Sequence, residues 1–168
     1  MKVLIISLPR TGSSSLQIKL CREQNLSNIF EPWDNSNRFS YNSKMKNCCV
    51  KTMVFHSPIE SHLQFYKEIY NEFDKIILLS RRDLKECAES WAYLMYNNNK
   101  NGYDSTIHYI WETPPNIEKY YNDIIKWDTE LKELSTYFNI PITYYEDIFD
   151  VNSVDRYRKN ITKNKNLI

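Results

Sequence analysis

The sequence lacks a net charge that would act as a general attractive force. Its 168 residues include 22 basic and 21 acidic side chains, which leave a formal net charge of +1. A chain so close to neutrality does not have the composition of a nucleic-acid or membrane-surface binder that works through overall charge. We therefore expect no nucleic-acid partner and no membrane partner, and any anion site has to be built from local groups.

Long apolar runs and the features of a signal peptide are missing as well. The apolar run at residues 3–8 is too short for the core of a signal peptide, and no small-residue cleavage site follows it. No stretch approaches the length of a membrane span. These absences predict a cytoplasmic protein.

The cysteines lack the spacing of a metal site. No C-x-x-C pair and no histidines at zinc-binding spacing accompany them. We therefore expect reduced thiols and no bound metal. The four cysteines are Cys21, Cys48, Cys49 and Cys87.

Apolar runs and amphipathic segments alternate along the chain. Short continuous apolar runs are typical of parallel strands buried on both faces, and apolar residues three or four positions apart are typical of helices. The predicted strands are KVLIISL, NIFEP, CCVKTMVFH, KIILLS and IPITYY, and the predicted helices cover residues 13–24, 57–73, 84–96 and 116–138.

Capping residues predict where two of these helices begin. Ser57 is predicted to cap the second helix, with Pro58 at its first position and Glu60 completing a capping box. Asp83 is predicted to cap the third helix. The polar stretch at residues 97–105 is predicted to be a loop.

The alternation of strands and helices predicts the architecture. We expect one α/β domain over residues 1–168, with three layers and a central parallel sheet of about five strands flanked by helices. Ligands of such sheets bind at the carboxyl ends of the strands. The segments that follow the strands are therefore the places to look for a site.

The segment PRTGSSS, between the first strand and the first helix, has the character of an anion-binding loop. Glycine is scarce, with only two in the chain, so Gly12 is informative. Backbone N–H groups at a helix start favour an anion, Arg10 adds a cation, and hydroxyl groups add donors. A serine-rich cap on an ordinary helix is the alternative. The hydroxyl residues are Thr11, Ser13, Ser14 and Ser15.

A second segment, LLSRRDLKECAESW, carries another candidate anion site. Arg82 lies between the fourth strand and the helix that follows, and Ser90, eight residues later, falls on the edge of that helix's apolar face. Arginine offers a planar fork of donors that suits a phosphate. The alternative is an exposed arginine beside a helix start and a solvated serine.

These two motifs, together with YYEDI at 144–148, resemble those of the sulfotransferases that use 3′-phosphoadenosine 5′-phosphosulfate (PAPS). In that family the first loop has the form Pro, basic residue, x, Gly and then hydroxyl residues, and the second motif is a strand followed by Arg, with Ser eight residues later. The resemblance spans residues 1–93 and about 140–150. It implies a P-loop-NTPase-like sulfotransferase fold, closer to the carbohydrate-type branches than to the cytosolic branch.

The resemblance also implies a cofactor and roles for these residues. Residues 10–15 would hold the 5′-phosphosulfate of PAPS, and Arg10 would offset the charge that develops as the S–O bond breaks. Arg82 and Ser90 would bind the 3′-phosphate. The product is 3′-phosphoadenosine 5′-phosphate (PAP), and no metal is implied.

Sulfuryl transfer to a hydroxyl group requires a base. Glu31, in IFEPW, lies at the end of the second predicted strand, where similar sulfotransferases carry a glutamate, so Glu31 is the predicted base. The cytosolic branch uses a histidine in Lys-Thr-His, but this sequence has Met53 there and His56 three residues on as a second candidate. Lys51 is predicted to help position the acceptor or the donor. The alternatives are a strand-end carboxylate in water or in an ion pair for Glu31, and a solvated side chain for Lys51.

The basic tail at 150–168 is the last candidate segment. In similar sulfotransferases a basic loop near the C-terminus closes over the cofactor, a part that Arg158 and Lys159 would play here, although the usual neighbouring glycine is missing. The alternative is a solvated tail. Aromatic residues such as Trp33 and Trp91 are candidates to contact an acceptor, but they are also typical of a core.

The sequence thus predicts an enzyme that moves a sulfuryl group from PAPS to the hydroxyl of a small molecule or a glycan. One alternative is a nucleotide or small-molecule kinase, although the loop lacks the Gly-Lys pair that a nucleoside-triphosphate loop requires. Another is a non-catalytic module that binds PAPS or PAP. The sequence leaves the oligomeric state open.

Overall fold

The structure, a computed structural model, describes residues 1–34, 41–101 and 116–149. For residues 97–101 it describes the backbone alone. Arg158 and Lys159, with the rest of the basic tail, lie outside the described residues.

Five short strands form one parallel sheet in the order β2-β3-β1-β4-β5. Ser7 at the end of β1 lies opposite Met53 of β3 and Leu79 of β4, so the carboxyl ends of the strands meet along one edge. The strands are β1 (Lys2–Ser7), β2 (Ser27–Phe30), β3 (Cys48–Met53), β4 (Lys75–Ser80) and β5 (Ile142–Tyr144).

Helices connect these strands and cover both faces of the sheet. They are α1 (Ser13–Gln24), α2 (His62–Ile69), α3 (Leu84–Asn101), α4 (Ile117–Phe138) and α5 (Tyr145–Ile148), and a short 3₁₀ turn, Tyr70–Glu72, follows α2. Within the described ranges, no helix is both long and apolar enough to cross a membrane.

Alternate residues of β1 face two separate apolar clusters. Val3 and Ile5 pack with Leu16 and Leu20 of α1 on one face of the sheet. Leu4 and Ile6 face the other cluster, to which α2 and α4 contribute; its members include Phe65, Tyr66, Ile124, Leu131 and Leu134. Because strand side chains alternate between faces, a continuous apolar run fills both layers. The predicted fold class, a single α/β domain with a parallel five-strand sheet between helices, is confirmed.

Buried polar contacts fix α1 on the sheet. The Gln17 side-chain amide donates to the backbone carbonyls of Ile29 in β2 and Cys49 in β3, each at 2.8 Å. Gln17 is almost wholly buried, so these bonds form away from water, where an unpaired polar group is costly. They hold α1, which follows the loop after β1, in register with two strands.

Two local predictions differ from the structure. The second helix begins at His62 with Ser61 as its cap, whose hydroxyl accepts from the Gln64 N–H, whereas the Ser57 hydroxyl accepts from the Ile59 N–H in a preceding turn. Ser61 and Gln64 have capping-box spacing of their own, and this later pair prevails. The third helix continues to Asn101, into the predicted loop. The predicted Asp83 cap is confirmed, because its carboxylate accepts from the Glu86 N–H at 2.8 Å.

Candidate functional site

Two buried hydrogen bonds to backbone carbonyls stabilise the loop after β1. Thr11 is buried, and its hydroxyl donates to the Leu8 carbonyl at 2.8 Å, so this hydroxyl stabilises the loop. The Cys87 thiol of α3 donates to the Pro9 carbonyl at 2.9 Å, and burial raises the pKa of this thiol to about 12, which keeps it protonated. Arg10, with a φ of 61°, adopts the left-handed conformation that non-glycine residues rarely take.

The start of α1 presents backbone N–H groups at the same place. Gly12 is the N-cap residue, and no side chain of the described residues caps the helix. The first N–H groups of a helix have no acceptor within it, and its dipole favours an anion there. Ser13 is buried and Ser14 half-buried, whereas Ser15 lies on the exposed face of α1. The helix start therefore offers donors to an anion, but the Ser15 hydroxyl points to solvent.

Gly12 lies directly beneath an aromatic ring. Its φ of 69° is left-handed, and a Cβ atom added there would lie 2.6 Å from Tyr145 Cε2 and 3.3 Å from Phe149 Cε2. A side chain at position 12 would therefore force the Tyr145 ring to move and would also have to adopt a left-handed backbone, and both requirements favour glycine.

The first and second motifs meet through one hydrogen bond. The Arg10 Nε–H group donates to the Ser90 hydroxyl at 2.9 Å, although the two residues are 80 positions apart. Both residues are half-buried. The sheet order explains the contact, because β1 and β4 are neighbours and the segments that follow them emerge side by side. Ser90 thus lies with the first loop.

Arg82 lies with the YYEDI segment instead. Its guanidinium contacts the Asp147 carboxylate at 2.8 Å, and its backbone N–H donates to the Glu146 carboxylate at 3.1 Å. The guanidinium also lies 4.7 Å from the centre of the Tyr144 ring. The Arg82 side chain is 54% exposed. The two residues predicted to share the 3′-phosphate therefore have different partners.

Arg81 is a cation that the sequence analysis missed. Its side chain is only 12% exposed, pairs with Glu86 at 2.7 Å and lies 3.8 Å from the Glu146 carboxylate. Its guanidinium lies 5.3 Å from the centre of the Tyr145 ring, the ring that covers Gly12. The signal was the doubled arginine after β4, since neighbouring residues point in different directions and one of two can turn inward.

Glu31 and Lys51 form a buried ion pair at the ends of β2 and β3. The Lys51 ammonium contacts the Glu31 carboxylate, and the two side chains are 3% and 8% exposed. The Glu31 N–H also donates to the Lys51 carbonyl at 2.7 Å. Burial lowers the pKa of the Lys51 ammonium, and the Glu31 carboxylate opposes this shift. The sequence left open whether Glu31 is solvated or in an ion pair, and whether Lys51 is solvated. Glu31 is in an ion pair, and neither side chain is solvated.

The backbone at Glu31 is strained. Its φ is 43°, a left-handed value that a non-glycine residue adopts at a cost. Strained residues of this kind cluster at functional sites. The conformation ends β2 and turns the carboxylate towards Lys51 of the neighbouring strand.

His56 lies in the same group of side chains. Its Nε2 atom is 4.0 Å from the Asp34 carboxylate, and side-chain oxygen or nitrogen atoms of Glu31, Asp34 and His56 all lie within 4.8 Å of one another. Burial lowers the pKa of His56, against the pull of the two carboxylates, so neutral imidazole is favoured. Asp34 was missed as a member of this group, and the signal was its position three residues after Glu31.

These three side chains are the kinds of ligand that a divalent cation takes, but the Lys51 ammonium opposes one. It already lies against the Glu31 carboxylate, and a second cation there would meet its charge. The donor set therefore suits proton transfer better than metal binding.

Aromatic side chains lie beside this group. The Phe55 ring stacks on Trp127 at 4.0 Å and meets the edge of the His56 ring at 4.7 Å, and Trp91, next to Ser90, lies 6.1 Å from Phe55. Trp33 packs on Phe65 and thereby belongs to the core. Trp91 lies beside Phe55, and Trp33 lies between Glu31 and Asp34 in the sequence.

No family model matches this chain, and no curated protein matches it. Among solved structures, the chain is similar to a deoxyadenosine kinase from M. mycoides with bound dATP, at 14% identity and a TM-score of 0.39. That similarity covers 97% of this chain and 100% of the kinase chain. A similarity at this level carries no argument about activity. The chain's own sheet order and strand register are what establish its parallel α/β fold.

Proposed function

We propose that the protein is a sulfotransferase that uses PAPS and a hydroxyl acceptor. The observation that carries the proposal is the 2.9 Å hydrogen bond from Arg10 to Ser90, which joins the two motifs that resemble the cofactor-binding motifs of that family. Neither motif is specific alone. Their meeting at the carboxyl edge of a parallel sheet, where ligands of such folds bind, is what a shared cofactor requires.

The groups at this edge fit an anionic cofactor. The uncapped start of α1 supplies N–H donors, and Arg10 supplies a fixed cation beside them. When bound, PAPS would supply the sulfuryl group and PAP would be the leaving group. Arg10 would offset the charge that develops on the leaving oxygen, and Ser90 would hold the Arg10 side chain in place.

Glu31 is the proposed base. It would accept the proton of the acceptor hydroxyl as that oxygen bonds to sulfur, and its contact with Lys51 would fix the position of the carboxylate. His56 remains the second candidate, because burial lowers its pKa and favours the neutral form that can accept a proton. Phe55, which contacts His56, and Trp91, which lies beside Phe55, are the aromatic residues proposed to contact the acceptor.

The kinase alternative is weaker on the chain's own residues. A nucleoside-triphosphate loop uses a lysine after its last glycine and a hydroxyl for magnesium, and Ser13 follows Gly12 here. A kinase also requires a divalent cation. Among the described residues, Glu31, Asp34 and His56 form one possible ligand group, but a cation there would meet the charge of Lys51.

Calorimetric titration with PAP, and separately with ATP plus magnesium, tests the cofactor. We expect PAP to bind, Arg10→Ala to weaken binding at least tenfold and Ser90→Ala to weaken it less, because charge-assisted bonds are the stronger ones. Ser43→Ala is the matched control, since it removes an exposed serine hydroxyl from the turn that binds the Lys2 ammonium. Binding of magnesium-ATP with no response to PAP would contradict the proposal.

Turnover with PAPS and a panel of hydroxyl acceptors then separates an enzyme from a binding module. Glu31→Gln should lower kcat about 10²–10⁴-fold, the usual contribution of a general base, while PAP affinity is retained. Circular dichroism must show that the variant is folded, because Lys51 is left buried without its partner. Unchanged turnover in a folded Glu31→Gln would instead assign the base to His56, and His56→Gln tests this directly.

A further inference from the structure

Residues 145–149, which comprise α5 and Phe149, cover both predicted phosphate positions at once. The Tyr145 and Phe149 rings lie on Gly12 of the first loop. Glu146 and Asp147 contact the two arginines that follow β4. One five-residue segment therefore lies over the first loop and over Arg82.

The carboxylates of this segment bind arginine as a phosphate would. Asp147 accepts from the Arg82 guanidinium at 2.8 Å, and Glu146 accepts from the Arg82 backbone N–H at 3.1 Å. Glu146 also lies 3.8 Å from Arg81. The planar guanidinium fork suits carboxylate and phosphate alike, so an incoming phosphate and Asp147 would compete for the same donors.

The contact between Arg82 and Asp147 is exposed, which makes its replacement by a phosphate feasible. The Arg82 and Asp147 side chains are 54% and 52% exposed, whereas Ile148 and Phe149 pack against the apolar cluster between β1 and α1. Ion pairs this exposed contribute little net stability because water competes for both partners. A dianionic phosphate has more charge than a carboxylate and binds the same fork more strongly.

We propose that residues 145–149 act as an internal competitor for the anion site, an acidic clasp that a phosphate monoester displaces from Arg82. Asp147 leaves the Arg82 guanidinium when the phosphate binds, and residues 145–149 become more mobile. The identification of that phosphate as the 3′-phosphate of PAP rests on the proposed function. The clasp itself rests on the contacts of Arg82, Glu146, Asp147 and Gly12.

Asp147→Asn tests the competition, because asparagine keeps the shape and removes the charge. The variant should bind PAP about two- to fivefold more tightly than the wild type, the range set by an exposed ion pair. Glu133→Gln, which removes one exposed carboxylate from α4, is the control and should leave PAP affinity unchanged. An unchanged PAP affinity in Asp147→Asn would overturn the proposal, because Asp147 would then not compete with the ligand. A weaker affinity would overturn it too, because Asp147 would then orient Arg82 for the ligand.

Hydrogen exchange gives a readout that does not depend on PAP. Exchange of the peptide covering residues 144–149 should increase in Asp147→Asn without any ligand, and in the wild type with inorganic phosphate but not with chloride at the same ionic strength. Equal exchange in phosphate and chloride would overturn the clasp. If PAP binds to no variant, the cofactor proposal fails, and the phosphate experiment alone decides the clasp.

Discussion

Two ion pairs lie near the carboxyl edge of the sheet, and they differ in every respect except charge. Lys51 and Glu31 are almost fully buried between β2 and β3, whereas Arg82 and Asp147 are half exposed between β4 and α5. Removing one partner of a buried pair leaves an uncompensated charge away from water, while water replaces a lost partner at the surface. We therefore expect the Lys51–Glu31 pair to be essential for the fold, and the Arg82–Asp147 pair to be one in which another partner can replace Asp147 at little cost.

Under the proposed function, this difference gives the two halves of the site different tasks. The β2–β3 half holds the strained Glu31 backbone and the side chains that would handle a proton. The β4–β5 half holds cations whose present partners are carboxylates. If Glu31 is the base and this half binds the anion, as proposed, the division would suit group transfer, since a base must stay aligned while ligands enter and leave.

Breaking the buried pair should give the largest effect on stability. Lys51→Met leaves the Glu31 carboxylate buried without its partner and should lower the free energy of unfolding by about 3–5 kcal/mol. Urea denaturation followed by circular dichroism measures this. The double variant Lys51→Met with Glu31→Gln should recover most of the loss, and the exposed Lys75→Met is the control. A loss below about 1 kcal/mol would show that this pair behaves like a surface pair.

Substituting Gly12 tests its contact with the Tyr145 ring, which lies in the same segment as Asp147 of the exposed pair. Gly12→Ala should cost about 1–2 kcal/mol through its left-handed backbone, and about 1–3 kcal/mol more because the Tyr145 ring must move. In a Tyr145→Ala background the backbone cost should remain, with a small addition from Phe149 Cε2, which would lie 3.3 Å from the added Cβ atom. Thermal and urea denaturation of the four proteins of this cycle separate the two contributions. Equal costs in both backgrounds would mean that the ring moves aside freely.

The pH dependence of stability should report the protonation of His56, which lies in the buried β2–β3 half of the site. Burial lowers the pKa of His56 below its ordinary value of 6.5, so the unfolded chain binds its proton first as the pH falls. The free energy of unfolding should therefore decrease below pH 6.5, with a contribution from His56 of at most about 1.4 kcal/mol per pH unit.

Urea denaturation between pH 7.5 and pH 5 measures this slope. His56→Gln should be less sensitive to acid than the wild type, and His62→Gln, whose histidine contacts Glu130, is the control. An identical slope in the wild type and in His56→Gln would show that His56 can be protonated in the fold without cost.

Breaking the exposed pair should give the smallest effect on stability. Asp147→Asn should change the free energy of unfolding by less than about 1 kcal/mol, because both side chains are half exposed. The change should shrink further at high salt, which screens exposed charges. Urea denaturation at low and high salt provides the measurement, and a loss comparable to that of Lys51→Met would erase the contrast between the pairs.

The sequence predicted the frame of the molecule well. The strands β1, β3 and β4 were identified because their apolar residues fill the sheet, as Val3 and Leu4 do from opposite faces of β1. Asp83 was identified as a cap because a carboxylate before a helix has one good local partner. The start of α2 was misplaced because Ser57 and Ser61 both offer capping-box spacing, and sequence alone does not rank them.

The side-chain partners at the site were much less predictable. The spacing of Arg82 and Ser90 suggested a shared phosphate, but their present partners, Asp147 and Arg10, lie in other parts of the sequence. The Glu31–Lys51 pair depends on parallel pairing of β2 with β3, which places Phe30 opposite Lys51. Contacts of this kind are set by sheet order and register, and neither is visible in a local pattern.

The central position of β1 has a consequence for how the chain folds as it is synthesised. Residues 2–7 are synthesised before their partners, which are residues 48–53 and 75–79. Until those segments have been synthesised, an apolar strand has open edges on both sides, which is the condition for aggregation of nascent chains. The Arg10–Ser90 contact forms later still. A fragment that stops before β4 should therefore depend on chaperones to stay soluble, whereas the full chain closes both edges of β1.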